Sequence, residues 1–177
     1  ANRLKRVVAT DLYEDGFLGG EGQADVLDHP AKYAPFPYRE DHLEVRRMNG
    51  LALDAPDGRF DIVFCLSSIE HFGGVEGAAQ TIREMGRVLK PGGILAIATE
   101  YALAGPPGED VFQPHEVHQL IAQPGLELVE PVDERVWNRF QTVPVDVVHD
   151  PYRTPHMVVH VFDTVFTSVM FFLRKLP

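Results

Sequence analysis

Short, continuously apolar runs recur along the chain, with room for helices between them. Runs of this kind predict β-strands that are covered on both faces of a sheet. The run IVFCL, residues 62–66, shows the pattern most clearly because no polar residue interrupts it. The predicted strands are residues 6–10, 42–48, 59–66, 94–100, 126–132 and 158–175.

Two segments between these strands have helical periodicity. Residues 75–89 repeat apolar side chains at helical spacing and end before Pro91 and Gly92, a pair typical of the sequence past a helix C-terminus. Residues 113–123 form the second pattern, with Pro114 tolerated in the first turn. Strands that alternate with helices predict an α/β fold with a mostly parallel sheet and helices on its faces.

Two long segments do not fit this alternation. Residues 14–41 carry glycine, proline and aromatic interruptions and cannot form one regular helix. Residues 133–157 contain Trp137 and several prolines, and we interpret them as an insertion before the last strand. Long irregular segments in a compact domain are more often lids or binding loops than spacers. We therefore predict a single domain of residues 1–177 with two lid or insertion segments.

Length and charge narrow the function classes. With 177 residues the chain is long enough for one domain with a real core. A formal net charge of −10 argues against sequence-independent nucleic-acid binding and against docking on an anionic membrane. No segment has membrane-spanning length and no signal peptide is visible, which favours a cytoplasmic protein. The one cysteine, Cys65, is interpreted as a small buried hydrophobe.

Polar residues follow four of the predicted strands. In open parallel sheets, ligands bind outside the carboxyl ends of the strands, so we expect these residues to lie at the binding site. A carboxylate such as Asp11 accepts hydrogen bonds from both hydroxyls of a ribose, and an amide such as Asn49 bonds to the edge of a base. The polar strand ends are Asp11, Asn49-Gly50, Ser67-Ser68 with Glu70-His71, and Thr99-Glu100. Together they describe a nucleoside site.

Three stretches carry a family resemblance. VVATDLY, MNGLALDAPDGRFDIVFCLSSIEHF and EMGRVLKPGGILAIATE resemble successive motifs of the class I S-adenosylmethionine-dependent methyltransferases. The likeness is to the generic methyltransferase-domain branch, whose fourth-strand motif ends in Glu-His, and it covers residues 6–100. It implies a Rossmann-like, doubly wound, mostly parallel sheet with an antiparallel last strand. It also implies S-adenosylmethionine as cofactor, with S-adenosylhomocysteine as product.

The resemblance implies roles for individual residues. Asp11 corresponds to the acidic residue that holds the adenosyl ribose. Asn49 takes the position of the residue that contacts adenine, with backbone groups offered by the residues after it, and Asp54 is the second choice for that contact. Leu66 and Ser67 border the methionine part of the cofactor. The predicted cofactor-binding residues are Asp11, Leu12, Asn49, Gly50, Leu51, Leu66 and Ser67.

One motif of the family is missing from the sequence. The family's first strand and its glycine-rich loop, an acidic residue followed by GxGxG, should precede residues 6–10, but the chain begins at Ala1. The stretch DGFLGGEG, residues 15–22, is interpreted as a flexible loop rather than a displaced copy of that motif. We therefore expect an N-terminally truncated domain that starts at the family's second strand. Loss of the central strand exposes apolar strand edges, which favours a homodimer through those edges.

Glu70 and His71 admit three interpretations. In the first they are structural, with Glu70 near a helix start. In the second His71 is a general base that removes the proton of an acceptor hydroxyl, because imidazole titrates in the right range. In the third both residues bind a divalent metal together with His115 or His118. We predict His71 and Glu70 as catalytic residues and no metal site.

The leading functional hypothesis is an S-adenosylmethionine-dependent methyltransferase that acts on an oxygen or nitrogen atom of a small-molecule acceptor. Its rival is a non-catalytic remnant or interaction module with an incomplete cofactor site. A nicotinamide dehydrogenase is disfavoured because no glycine-rich dinucleotide loop precedes Asp11.

Overall fold

The computed structural model describes residues 3–12, 25–106, 108, 110–132, 145–146 and 158–177. The chain divides into two compact units, Ala1–Asp54 and Ala55–Pro177. Strands and helices alternate along it, which confirms the predicted α/β class. Most of the insertion predicted at residues 133–157 lies outside the described residues, and so does the DGFLGGEG stretch. The prediction of a single domain stays a prediction.

The first unit contains a short parallel sheet. Strands β1 (Val7–Asp11) and β2 (Leu43–Arg47) pair in parallel. They correspond to the strands predicted at residues 6–10 and 42–48. Between them lie the short helices α1 (Asp25–Asp28) and α2 (Pro30–Tyr33) and a single 3₁₀ turn. The described part of residues 14–41 is therefore not one regular helix, which agrees with the prediction.

The second unit is built on a six-stranded sheet. Strand β3 (Phe60–Leu66) lies at one edge and pairs in parallel with β4 (Leu89–Ala104). The other strands are β5 (Leu126–Leu128), β6 (Val145–Asp146), β7 (Val159–Val161) and β8 (Thr164–Lys175). Strand β8 runs antiparallel to β4, as predicted for the last strand, and antiparallel to β5 and β7 as well. Strands β6 and β7 pair in parallel.

The long closing segment at residues 158–175 forms two strands of a hairpin. Phe162, between β7 and β8, has a φ of 49°, in the left-handed region. Gly105 lies against this turn, and a Cβ atom at position 105 would come within 2.1 Å of the carbonyl oxygen of Asp163. The close approach therefore requires glycine at position 105. Sequence alone does not show this hairpin, because the turn residue Phe162 is apolar and continues the strand pattern.

Helices α3 (Gly74–Val88) and α4 (Pro114–Ile121) contact each other and β4, so they cover one face of this sheet. Both predicted helices are confirmed. The sheet residues under them are almost fully buried: Leu95, Ile97, Tyr101, Val169, Phe171 and Leu173. Cys65 belongs to the same buried set, and burial raises the pKa of its thiol to about 12. The interpretation of Cys65 as a small buried hydrophobe is confirmed.

The opposite face of the sheet is apolar and open among the described residues. Ile62, Phe64 and Leu66 alternate along β3 and are 57, 56 and 50% exposed. Because paired residues in neighbouring strands point to the same face, the row continues from Leu66 through Ala98 to Met170, which is 49% exposed. We use the name open face for this side of the sheet. No helix in the described part of the chain is long and apolar enough to span a membrane.

Candidate functional site

The first predicted group lies where β1 and β2 end. Because these strands are parallel and Asp11 pairs with Arg47, the residues after them lie side by side. The backbone N–H of Met48 donates to the carbonyl oxygen of Asp11 at 3.0 Å. The N–H of Leu12 donates to the Asp11 carboxylate oxygen Oδ1 at 2.6 Å. This bond fixes the orientation of the exposed carboxylate that the sequence assigns to the ribose.

A tight turn follows β2. The side-chain oxygen of Asn49 accepts the N–H of Leu51 at 2.9 Å, and the Asn49 carbonyl accepts the N–H of Ala52 at 3.1 Å. The N–H of Leu51 is therefore bonded within the turn to the side chain of Asn49. Its side-chain oxygen is used inside the turn, so the donor NH₂ is the group of this amide that suits the edge of a base. Asp54 is exposed and lies beyond the turn.

The second group lies in the second unit, where β3 ends beside β4 and their parallel pairing stops at Leu66 and Ala98. Ser67, directly after β3, has a φ of 47°, in the left-handed region that non-glycine residues rarely adopt. Its backbone N–H donates to the carbonyl oxygen of Ala98 at 2.9 Å, which holds the end of β3 against β4. Strained residues of this kind concentrate at functional sites. Leu66, before it, is half exposed on the open face.

Glu100 lies beside Ser67 at the end of this parallel pair. Its carboxylate accepts the hydroxyl of Ser67 at 3.4 Å and the hydroxyl of Ser168 from β8 at 3.1 Å. Burial raises the pKa of the Glu100 carboxyl above its ordinary value, and the neighbouring carboxylate of Glu70 raises it further. The two hydroxyl donors act in the opposite direction. Glu100 is thus a partly desolvated carboxyl at the strand end where ligands are expected.

Glu70 is placed as a structural residue. It is 3% exposed, and its carboxylate accepts the hydroxyl of Thr99 at 2.8 Å, also in the interior. This bond joins the 3₁₀ turn Ile69–His71 to β4. A buried carboxylate whose hydrogen bond holds a turn matches the structural alternative, and the catalytic role of Glu70 stays a prediction.

His71 contacts a carboxylate that comes from a different segment of the chain. Its ring nitrogen Nδ1 lies 3.0 Å from Oδ1 of Asp110, and the imidazole side chain is 32% exposed. His71 also interacts electrostatically with Glu100. An imidazole next to a carboxylate, partly open to solvent at a strand end, is suited to take up a proton.

The metal interpretation has no matching geometry in the described residues. His115 and His118 lie exposed on α4. Within the part of the chain that the structure describes, no three His, Cys, Asp or Glu side chains are placed to hold a metal ion together.

The sequence missed two participants of the second group. Asp110 lies 39 residues after His71, and Ser168 lies 68 residues after Glu100. Neither belongs to a motif, and neither follows a strand of the parallel pair, so no local pattern pointed to them. The structure brings Asp11 and the Asn49 turn together in the first unit. In the second unit it brings together Leu66, Ser67, Glu70 and His71.

Comparisons with known proteins show similarity to methyltransferases. A family model described as a methyltransferase domain matches residues 20–97, a range that includes Asn49, Ser67 and His71 but not Asp11. A protein of Mycolicibacterium smegmatis named "Probable S-adenosylmethionine-dependent methyltransferase" is 32% identical over 136 residues. That match covers 71% of this chain and 52% of the relative, so the chain spans about half of that protein's length.

Solved structures show the same fold. The [4+2]-cyclase SpnF has a TM-score of 0.61 at 15% identity, with 97% of this chain and 66% of SpnF covered. A methyltransferase of Methanosarcina mazei, described as SAM-dependent, has a TM-score of 0.58 at 14% identity, with 97% and 82% covered. These likenesses confirm the Rossmann-like fold. By its motifs and these matches, the chain is similar in sequence and in fold to the class I S-adenosylmethionine-dependent methyltransferases.

Proposed function

We propose that the protein transfers a methyl group from S-adenosylmethionine to an oxygen or nitrogen atom of a small-molecule acceptor. The main support for the proposal is the group at the end of β3 and the neighbouring part of β4, where the hydroxyl of Ser67, the imidazole of His71 and the carboxyl of Glu100 interact. The similarity to this family supports the cofactor. The fold alone does not decide the reaction, since SpnF shares it and is a [4+2]-cyclase.

The residues of the first unit fit the nucleoside part of this cofactor. The Asp11 carboxylate, oriented by the N–H of Leu12, offers oxygen acceptors of the kind that ribose hydroxyls need. The Asn49–Ala52 turn offers the side-chain NH₂ of Asn49, since the side-chain oxygen of Asn49 and the N–H groups of Leu51 and Ala52 are bonded within the turn. These groups support Asp11, Leu12, Asn49, Gly50 and Leu51 as the nucleoside-binding residues.

Leu66 and Ser67 of the second unit are proposed to border the methionine part of the cofactor. When bound, S-adenosylmethionine supplies an electrophilic methyl group on a positively charged sulfur. The chain's own contribution is positioning and proton removal. Residues at the end of β3 and the neighbouring part of β4 hold the acceptor atom in line, and His71 takes its proton. Glu70 keeps the His71 turn fixed through Thr99.

The test is transfer of labelled methyl from S-adenosylmethionine by the protein at its natural full length, with panels of alcohols, phenols and amines as acceptors. His71→Gln keeps a polar side chain but removes the base, so kcat should fall by about 10²-fold or more while KM changes little. His118→Gln, an exposed histidine of α4, is the matched control and should leave kcat unchanged. Equal kcat values for the wild type and His71→Gln would refute the role of His71.

The rival function is a non-catalytic interaction module. One observation favours it: the open face presents Ile62, Phe64 and Leu66 to solvent, an apolar row of the kind that partners cover. An interaction module predicts no methyl transfer with any acceptor and no effect of His71→Gln. The acceptor screen therefore separates the two functions.

The remaining partner assignments are also proposals. The net charge of −10 supports a small-molecule acceptor over nucleic acid or an anionic membrane surface as partner. The exposed edge of β3 supports a homodimer. The cytoplasm is the location that we propose.

A further inference from the structure

We infer that Asp110 is a positioning residue that fixes which ring nitrogen of His71 carries the proton. The inference rests on the proposed function, in which His71 is the base. Its observation is the contact between Asp110 Oδ1 and His71 Nδ1 at 3.0 Å. An ionised carboxylate only accepts hydrogen bonds, so a bond at this distance places a hydrogen on Nδ1.

The segment that carries Asp110 is anchored to the sheet. Two residues after Asp110, the backbone N–H of Phe112 donates to the carbonyl oxygen of Glu100 at 3.0 Å. The carbonyl of Phe112 accepts the N–H of Ala102 at 2.9 Å, and its side chain is 4% exposed. The carboxylate of Asp110 is therefore held near the end of β4, although the residue itself is exposed.

The turn that carries His71 is anchored from the other side. Ile69, at the start of the turn, is fully buried, and Glu70 is bonded to Thr99 in the interior. The backbone N–H of His71 donates to the carbonyl oxygen of Ser68 at 3.1 Å. Because both partners lie on anchored segments, their contact is built into the fold.

The bond has a chemical consequence for the ring. When Nδ1–H donates to Asp110, the neutral imidazole has its lone pair on Nε2, the nitrogen that accepts a proton. In the transfer step the acceptor O–H or N–H bond breaks and its proton goes to Nε2. The acceptor atom forms a bond to the methyl carbon, and the carbon–sulfur bond breaks with its electron pair remaining on the sulfur. The positive charge that starts on the sulfonium ends on the imidazolium, next to Asp110.

Two other carboxyl groups belong to the surroundings of the ring. Glu70 precedes His71 on the turn but bonds to Thr99 in the interior, and Glu100 interacts with the ring electrostatically from β4. Asp110 differs from them because its carboxylate oxygen lies at hydrogen-bond distance from Nδ1, and a direct bond of this kind selects one tautomer. The selection of the His71 tautomer is therefore assigned to Asp110.

The experiment combines ¹⁵N NMR of the His71 ring with methyl-transfer kinetics in the full-length protein. In the wild type, above the pH at which the ring is protonated, the spectrum should show hydrogen on Nδ1. Asp110→Ala should move it to Nε2 and lower kcat about tenfold with little change in KM, since a charge-assisted bond is lost. Asp110→Asn keeps an acceptor oxygen, so the tautomer should remain while kcat falls less. Asp61→Ala, which removes an exposed partner of Lys90, is the control.

The outcomes separate this inference from the proposed function. A wild-type ring with hydrogen on Nε2, or an unchanged tautomer in Asp110→Ala, would overturn the role of Asp110 even if methyl transfer is measured. If the tautomer depends on Asp110 but the protein transfers no methyl group, the positioning role of Asp110 would be supported and the proposed function refuted. Because the Asp110 side chain is 59% exposed, the variants should unfold at the temperature of the wild type.

Discussion

Two neighbouring residues of β4, Thr99 and Glu100, take part in different kinds of carboxyl contact. Thr99 and Glu100 are neighbours in a strand and so point to opposite faces of the sheet. Thr99 holds the buried carboxylate of Glu70 under the helices, while Glu100 meets Ser67 and Ser168 towards the open face. Glu70 therefore belongs to the framework, and Glu100 belongs to the candidate site.

Glu100 gives a pH-dependent prediction. Because the folded state raises its pKa, the folded protein holds this proton to higher pH than the unfolded chain, whose glutamate titrates near pH 4.3. The free energy of unfolding therefore falls as the pH rises from about 4.3 through the raised pKa. Glu100→Gln removes this loss and keeps an acceptor oxygen for the serines. We expect a higher melting temperature than wild type at pH 7 and no difference at pH 4.

Glu127→Gln, on an exposed position of β5, is the control for Glu100→Gln and should leave the melting temperature unchanged at both pH values. Thermal unfolding followed by circular dichroism gives the comparison. A Glu100→Gln protein that melts below wild type at pH 7 would contradict the assignment of a desolvated carboxyl.

One physical difference separates the site residues that the sequence predicts from those that it does not. Asp11, Asn49 and Ser67 directly follow parallel strands, and a strand end is visible as an apolar run that stops. Asp110 reaches His71 only because Phe112 attaches its loop to β4, and no periodicity encodes that attachment. Site residues that are brought in by tertiary contacts therefore cannot be predicted from a single sequence.

At the scale of elements, the end of α3 shows how helix and sheet are joined. The ammonium group of Lys175, near the end of β8, donates to the carbonyl oxygens of Arg87 at 3.0 Å and Leu89 at 2.7 Å. The last carbonyls of a helix have no partner within the helix, and that of Arg87 is bonded here by the ammonium group together with the N–H of Gly58 at 3.1 Å. Arg87 itself pairs with Glu84 and Asp57, which joins the helix to the turn before β3.

Removing this ammonium group should destabilise the second unit. Lys175→Ala leaves part-buried carbonyl oxygens without their charged donor, and we expect the free energy of unfolding to fall by about 1–2 kcal/mol. Lys90→Ala is the matched control, since Lys90 forms an exposed pair with Asp61 and should change stability by less than about 0.5 kcal/mol. Denaturant titrations of both variants make the measurement. Equal losses in the two would contradict the capping role.

The elements themselves were largely predictable. Most strands and both long helices follow from apolar runs and helical spacing, whereas β6 lies in the segment interpreted as an insertion and β4 extends beyond the predicted residues 94–100. Pro91 marks the end of α3 because it supplies no backbone N–H to continue a helix. The hairpin at Phe162 was not predictable, since an apolar residue with positive φ is imposed by the packing of Gly105 against the turn. Local patterns determine elements, whereas close contacts between distant segments determine where a strand turns.

In the second unit, α3 and α4 cover one face of the sheet, and the opposite, apolar face is open among the residues that the structure describes. Strand β3 also lies at the edge of its sheet in the described part of the chain. An apolar edge strand favours pairing with another chain. These two features support the proposed homodimer.

At the scale of the whole molecule, we predict association of the 177-residue chain in solution. Sedimentation velocity should show a dimer that dissociates on dilution. Phe64→Thr keeps a good strand former but removes a ring that is 56% exposed, and it should shift the chain to monomer. Phe36→Thr removes a ring that is 76% exposed in the first unit and is the control. A monomer at every concentration, or equal effects of the two changes, would contradict association through the open face.

Titration of the ¹⁵N-labelled chain with S-adenosylhomocysteine measures whether the residues that follow β1, β2 and β3 bind the cofactor. The sequence has no GxGxG loop to supply backbone contacts, so we predict weak, saturable binding. The amide shifts should change at Leu12, at the Asn49–Ala52 turn and at Ser67, and Asp11→Ala should abolish the response in the first unit. Unchanged amide shifts at these strand ends, or shifts confined to other regions, would show that these residues do not bind the cofactor.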